Sequence, residues 1–367
     1  MRILLAIVIL AGLAWSGWWY FGATTRQNAI ESWLAGRRDA GWVAETADVR
    51  VTGFPNRIDL IVEGLDIADP EAGWAWQADR FEVLSLSYKP HHVIAAWPGP
   101  QTVATPYETV YLDSRLMRGS VIFEPDTRLT LDRSSIEIDD MALRGESGWA
   151  AAIGHANFAT RQAADGAPDF AHDIGLTAEN IQLPEALSAR IGGMEVLPSA
   201  VERVHLDATL DFDRAWNRAS VEAGNPVLEQ VLVRDASVTW GSLDLRAKGT
   251  LDVDAQGFAE GRLDLRARNW REMIALAEAS GTLAPALAAA LRTGLGLIAT
   301  LSGDAESLKV PLDFEDGVAR LGPVALGAAP RLVLPGRSGK RAASRVNGPW
   351  PPACGRNRAR ACPGRPR

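Results

Sequence analysis

Cysteine is absent from the first 330 residues of this 367-residue chain; both cysteines, Cys354 and Cys362, lie near its end. That absence excludes a disulfide scaffold, a thiolate zinc site and a thiol nucleophile from the body. Histidine is scarce too, five in all, and only His91 and His92 are adjacent. On a strand their rings face opposite ways, so the pair does not easily share one metal. Acid is missing from the tail: Arg331 to Arg367 holds nine arginines and Lys340 without one Asp or Glu. The net charge of −7 therefore conceals a body at −17, with 28 bases against 45 acids, and a tail at +10. So acidic a body lacks the basic face that nucleic acid requires, and no nucleic-acid partner is expected. A second long apolar run is also lacking, since Leu283 to Leu301 is broken by Pro285, Arg292, Gly294 and Gly296.

What is present begins at the N-terminus. Ile3 to Ala23 is an uncharged, largely apolar run of 21 residues. As a helix it extends about 30 Å, about the hydrocarbon thickness of a bilayer. It ends in Trp15, Trp18, Trp19, Tyr20 and Phe21, rings that suit a membrane interface; signal peptidase sites end in small residues. Residues 1–23 thus read as an uncleaved signal anchor, with a cleaved signal peptide as the alternative. Arg2 flanks one side, and Arg26, Arg37 and Arg38 the other. Long following domains translocate largely regardless of such charges. The expected location is a single pass through the inner membrane by residues 3–23, with the C-terminal body in the periplasm. Residues 24–43 continue as an amphipathic helix, with Ile30, Trp33, Leu34 and Arg37 at three- and four-residue steps and Gly41 as a stop.

Most of residues 44–330 alternates with period two. In Arg203 to Asp213, Val204, Leu206, Ala208, Leu210 and Phe212 share one face and charged or polar residues the other. Gly261 to Arg268 repeats this, as do Val238 to Val253 and Leu129 to Ile138, and Arg57 to Ile67 less cleanly. Turn signals at Gly53–Asn56, Asp69-Pro70, Asp139-Asp140, Gly145, Asp165-Gly166, Gly241-Ser242 and Gln256-Gly257 punctuate these runs. Short strands without a helix between each pair predict an antiparallel meander, wet on one face. The fold class is mainly β with a few helices (α+β). Asn269 to Ser280, with Asn269 as N-cap and Gly281 as stop, Leu283 to Thr300, and Pro184 to Ile191 are the expected helices covering part of the apolar face. Two sub-domains, about 44–165 and 166–330, are one way to divide the body. Residues 331–367 read as a disordered basic tail whose composition also matches GC-rich DNA translated out of frame.

No catalytic, cofactor or metal site emerges. Asp252-x-Asp254-x-Gln256-Gly257 opens like a calcium loop, but Leu263 stands where its bidentate Glu belongs, so a hairpin turn is expected. Gly294-x-Gly296-x-x-Ala299 has no preceding strand, and Gly145-Glu-Ser147-Gly148 lacks the spacing of a nucleophile elbow. Gly53-Phe54-Pro55-Asn56-Arg57 reads as a tight reversal, with Gly53 free to take positive φ, Asn56 tolerant of the left-handed region and Phe54 packed beneath it. Trp74 and Trp76 share a strand face, either as ordinary core or as an apolar ledge.

Several words in order resemble a family: Val51-Thr-Gly-Phe-Pro-Asn-Arg57, Gly73-Trp-Ala-Trp76, Tyr88-Lys-Pro-His-His-Val-Ile94, Trp240-Gly241, Ala247-Lys-Gly249, Asp254–Gly261 and Asn269-Trp-Arg-Glu-Met273. Over about residues 1–330 the chain resembles the bacterial domain-of-unknown-function family 2125. That resemblance implies an AsmA-like envelope architecture: an inner-membrane anchor, then a long, curved antiparallel sheet whose apolar groove holds or passes lipid. It implies no activity. The expectation is a non-enzyme that binds phospholipid or another envelope lipid along Trp74, Trp76, Val204, Leu206, Leu210, Phe212, Leu263 and Leu265. The alternative is a structural or assembly scaffold that recruits envelope proteins.

Overall fold

The computed structural model describes residues 1–332 apart from 165, 186–196, 303, 305 and 323. Met1–Leu334 forms one compact unit. It opens with helix α1, Arg2–Asp39, which joins the apolar run and the amphipathic segment in one rod without a break. Its last turn carries Arg37 and Arg38, favourable at a helix C-terminus, and Gly41 follows with φ +86°.

Among the described residues seventeen strands then form one antiparallel sheet. β1 (Val43–Glu45) and β2 (Asp48–Thr52) both pair with β3 (Arg57–Asp69), at its two ends. β4 (Trp74–Leu86) lies next to β3, then β5 (Lys89–Ala96) and β6 (Gln101–Ala104) share the gap between β4 and β7 (Thr109–Phe123). From there each strand pairs with its successor: β8 (Leu131–Gly145), β9 (Ala150–Gln162), β10 (His172–Gln182), β11 (Ala200–Phe212), β12 (Leu228–Trp240), β13 (Leu243–Val253) and β14 (Ala259–Arg268). β15 (Ser307–Glu315), β16 (Val318–Leu321) and β17 (Val324–Ala328) complete the meander.

Among the described residues three further helices interrupt it: α2 (Arg218–Ala223) between β11 and β12, and α3 (Trp270–Ala279) with α4 (Pro285–Ser302) between β14 and β15. Asn269 stands before α3 but does not cap it. Its backbone is left-handed, φ +58°, and its amide nitrogen donates to the Ser242 carbonyl at 2.6 Å, tying α3 to the β12–β13 turn. Gly281 ends the helix with φ +78° as expected, and α4 starts at Pro285, whose fixed φ suits a first helical position. The helix expected at 184–191 lies almost wholly outside the described residues.

Asp139-Asp140 is not a turn. β8 runs through it to Gly145, with Asp140 left-handed at φ +49° opposite Arg115 while the register on either side stays in step. Gly64, φ +59° opposite Asp79, does the same in β3. A Cβ at Gly64 would also stand 2.8 Å from the Ala47 Cβ, so only glycine fits there. These residues change the phase of alternation: Ile58, Leu60 and Val62 are followed by Leu65 and Ile67, all five buried.

The core lies at the two flanks. Leu60, Val62, Leu65, Ile67 and Ala78 pack with Ile30 of α1, Trp42, Trp74, Trp76 and Phe81. On the far flank Trp270 and Ile274 of α3 and Leu291 and Leu295 of α4 bury Ala267, Leu308 and Val310. Below them Leu251, Phe314 and Ala319 form a third cluster with Leu332 packed against it, and Arg331 bridges to Phe258. The rest of the basic tail, 333–367, lies outside the described residues.

Candidate functional site: an apolar sheet face

Residues that are direct partners in neighbouring antiparallel strands lie on the same face. Following partners from β3 gives Leu60, Val83, Ala95, Gly119, Ile136 and Phe158, then Leu176, Leu206, Ala236, Ala247, Leu265 and Val310. This row crosses the sheet without one polar side chain. A second apolar row runs beside it from Met117 through Ile138, Ala156, Ala178, Val204 and Val238 to Leu245.

The helices cover this face unevenly. α1 packs on β1–β3, and α3 and α4 on β13 and β15. Between these flanks Phe158, Leu176, Val204 and Leu206 are half-buried, and Ile136 is 38% exposed. At one end of this stretch Phe123, Leu129, Leu131, Trp216 and Val221 of α2 line an apolar depression of about 350 Å³.

All eight residues expected to line a groove fall on this face, in three places. Val204, Leu206, Leu210 and Phe212 sit together on β11, with Phe212 edge-on to His172 and Trp216. Leu263 and Leu265 are three strands away on β14, packed against the flank clusters. Trp74 and Trp76 belong to the cluster under α1, Trp74 edge-on to Trp42 at 5.5 Å and Trp76 donating to Gln101 Oε1 at 3.1 Å. Sequence reasoning missed Ile136, Phe158 and Leu176. Their strands carry Asp140, Gly154 and Asn180, which blur the alternation; Asn180 is left-handed at φ +54°.

The opposite face is polar and ion-paired. Arg234, the extra residue in a bulge of β12, reaches Asp207 at 3.1 Å and Asp173 at 3.0 Å. Its hydrogen bond holds the Asp207 carboxyl below the usual carboxylate range. His155 hydrogen-bonds Asp139 at 2.7 Å, which raises the imidazole pKa and lowers that of the carboxyl. His172, by contrast, is buried on the apolar face as the register partner of Leu210, and desolvation pushes its pKa down. His92 pairs with Ser120 at 2.9 Å. Among the described residues no group of three or more His, Cys, Asp or Glu converges as metal ligands. Asp252–Gly257 is the β13–β14 hairpin, with Asp254 Oδ1 accepting from the backbone of Gln256 and Phe258.

Residues 19–330 match a family model described as "Uncharacterized protein conserved in bacteria (DUF2125)". The chain belongs to the DUF2125 family. No curated protein and no solved structure matches it. The family match starts at Trp19 and stops at Pro330, so it takes in the whole sheet and the C-terminal half of α1.

Gly53–Arg57 turns between β2 and β3 beside α1. The Phe54–Pro55 peptide bond is cis. Asn56 is not left-handed, and Phe54 is not tucked under the turn. It is 56% exposed and stands edge-on to Trp19 at 5.4 Å. Trp15 Nε1 donates to the Pro55 carbonyl at 3.0 Å and Trp19 Nε1 to that of Arg57 at 2.5 Å. The turn is an attachment to the helix.

α1 is the one helix among the described residues long and apolar enough to cross a membrane, and none of its apolar window is buried in the protein.

Proposed function

We propose that this DUF2125 protein is anchored in the bacterial inner membrane by residues 3–23, holds its sheet in the periplasm, and binds lipid acyl chains on the uncovered middle of the apolar face. The observation that carries the reading is the row from Ala95 to Leu206: six strands of small and apolar side chains with helices on either flank and, among the described residues, none packed over them. Each methylene moved from water onto such a surface contributes about 0.8 kcal/mol. A chain lying across several strands would thus be held by burial alone. No bond is made or broken, and the protein acts as a carrier or holder, in keeping with an AsmA-like plan.

A scaffold reading has its own support: Trp74, Trp76, Leu263 and Leu265 are already packed against core clusters. On that reading a partner protein covers the remaining face. A photocrosslinker in place of Leu206 separates the two. Lipid adducts from cells, together with lipid retained in native mass spectrometry of the detergent-extracted protein, are expected. Adducts to protein alone and a lipid-free mass would replace the lipid reading with the scaffold. A crosslinker at His205, on the polar face, should give no lipid adduct.

A further inference from the structure

The hydrogen bonds of Trp15 and Trp19 fix the height of the sheet along α1. Ile3–Ala23 is the length that fills a bilayer core, yet Trp15, which contacts Pro55, lies eight residues inside its end. At 1.5 Å per residue that is about 12 Å. If Trp15 instead marked the membrane boundary, Ile3–Ala14 would supply only about 18 Å of helix for a core of about 30 Å. Correcting such a mismatch by thinning alone costs a fraction of a kcal/mol for every ångström. The anchor and the β2–β3 turn therefore compete for the same depth.

The turn is built for that depth. Backbone carbonyls that enter lipid must already have partners. The Gly53 carbonyl accepts from Arg57 N, Pro55 from Trp15, Asn56 from Ser87 N and Arg57 from Trp19. The Arg57 guanidinium is paired with Asp59 at 2.9 Å.

The neighbouring loops agree. Strand direction alternates, so the loops after β2, β4, β7, β9 and β11 all lie at the strand ends where Pro55 is. They carry Phe54, Tyr88, Leu129, Phe170, Val221 and Val227, each between 40% and 58% exposed. At the opposite strand ends the described turns offer Tyr107, and the β14–β15 connection adds only Leu297 and Ile298 of α4. A clustered apolar rim facing water is unusual unless something covers it. Next to Trp18, Tyr20 and Phe21 of the anchor, also exposed, the covering surface is the bilayer from which that helix emerges.

We propose that this rim is a membrane-docking surface: the loops tipped by Phe54 and Val221 enter the headgroup–acyl boundary and open the α2 end of the apolar face directly to lipid. The inference presupposes the anchor proposed above. Both are tested in the full chain with Cys354 and Cys362 replaced by serine and a single cysteine introduced in turn at Leu10, Phe54, Val221 or Tyr107. Each variant is labelled with an environment-sensitive fluorophore and reconstituted into phosphatidylcholine vesicles containing a spin-labelled lipid. Blue-shifted, quenched emission is expected at positions 10, 54 and 221, and unshifted, unquenched emission at 107. Quenching at 10 with positions 54 and 221 behaving like 107 overturns the docking surface and leaves the anchor standing. No quenching at 10 overturns the anchor and, with it, the rim. Unchanged far-ultraviolet circular dichroism of each variant excludes misfolding as the cause.

Discussion

Asp139 and His155 are register partners on β8 and β9, and Oδ1 of one lies 2.7 Å from Nδ1 of the other. Arg115 approaches the same carboxylate at 3.0 Å from β7. The hydrogen bond raises the His155 pKa and lowers that of Asp139. A raised histidine contributes stability below its unfolded value, lost as pH rises through the folded one. A lowered carboxyl contributes above its unfolded value, lost as pH falls through the folded one. The pair should therefore stabilise most between the two. Asp139→Asn is expected to return the His155 NMR titration toward the ordinary histidine value and to flatten this part of the stability–pH curve. His172, lowered by burial, should titrate on the other side of the ordinary value and not respond to that substitution.

Trp270 is 2% exposed at the start of α3 and lies in the cluster that joins both helices to β14 and β15. Trp270→Ala should cost about 3–5 kcal/mol, the usual range for removing a large buried aromatic. A fall in the urea midpoint with an unchanged slope is the expected result.

Gly249 sits in β13 with φ +151°, and a Cβ there would stand 2.1 Å from the Arg262 carbonyl oxygen on β14. Because that obstacle is backbone, Gly249→Ala must open the β13–β14 pairing. A loss of about 1–3 kcal/mol, the scale of a strained backbone site, is expected, with faster amide exchange confined to those two strands.

Arg246, Arg266 and Lys309 are successive register partners on the polar face, three cations side by side. Arg246 has Asp244 at 3.1 Å. Like charges directly opposite one another destabilise a sheet. Arg266→Glu should raise stability by about 0.2–1 kcal/mol at low salt, a gain that fades as salt screens exposed charges. Equal stability with and without salt would contradict it.

The sheet was legible in the sequence wherever alternation is uninterrupted. β11 and β14 match their expected spans to within a few residues: no positive-φ residue interrupts β11, and in β14 Gly261, φ +132°, lies at the start, ahead of the alternating Leu263, Leu265 and Ala267. β8 was cut short at Ile138 because Asp139-Asp140 has the composition of a turn, and only the partner strand shows that pairing continues past it. α2 escaped notice because six residues are too few to display a period, although Asn217, which accepts from Ser220 N at 2.9 Å, is a recognisable N-cap. The apolar face was read strand by strand, so its strongest members were found on β11. The continuity of the row through Gly119, Ile136 and Phe158 depends on register, which no single strand encodes.

From β7 to β16 every strand is hydrogen-bonded to the strands that precede and follow it in the chain. Such a sheet can grow by accretion. Each hairpin closes a short loop onto a template that already exists, so no late strand must be threaded between two early ones. A chain emerging N-terminus first can lay down strand after strand, starting from those already fastened to α1. Length is then a free variable: a pair of strands gained or lost at the growing edge would lengthen or shorten the apolar row while leaving the rest of the register intact.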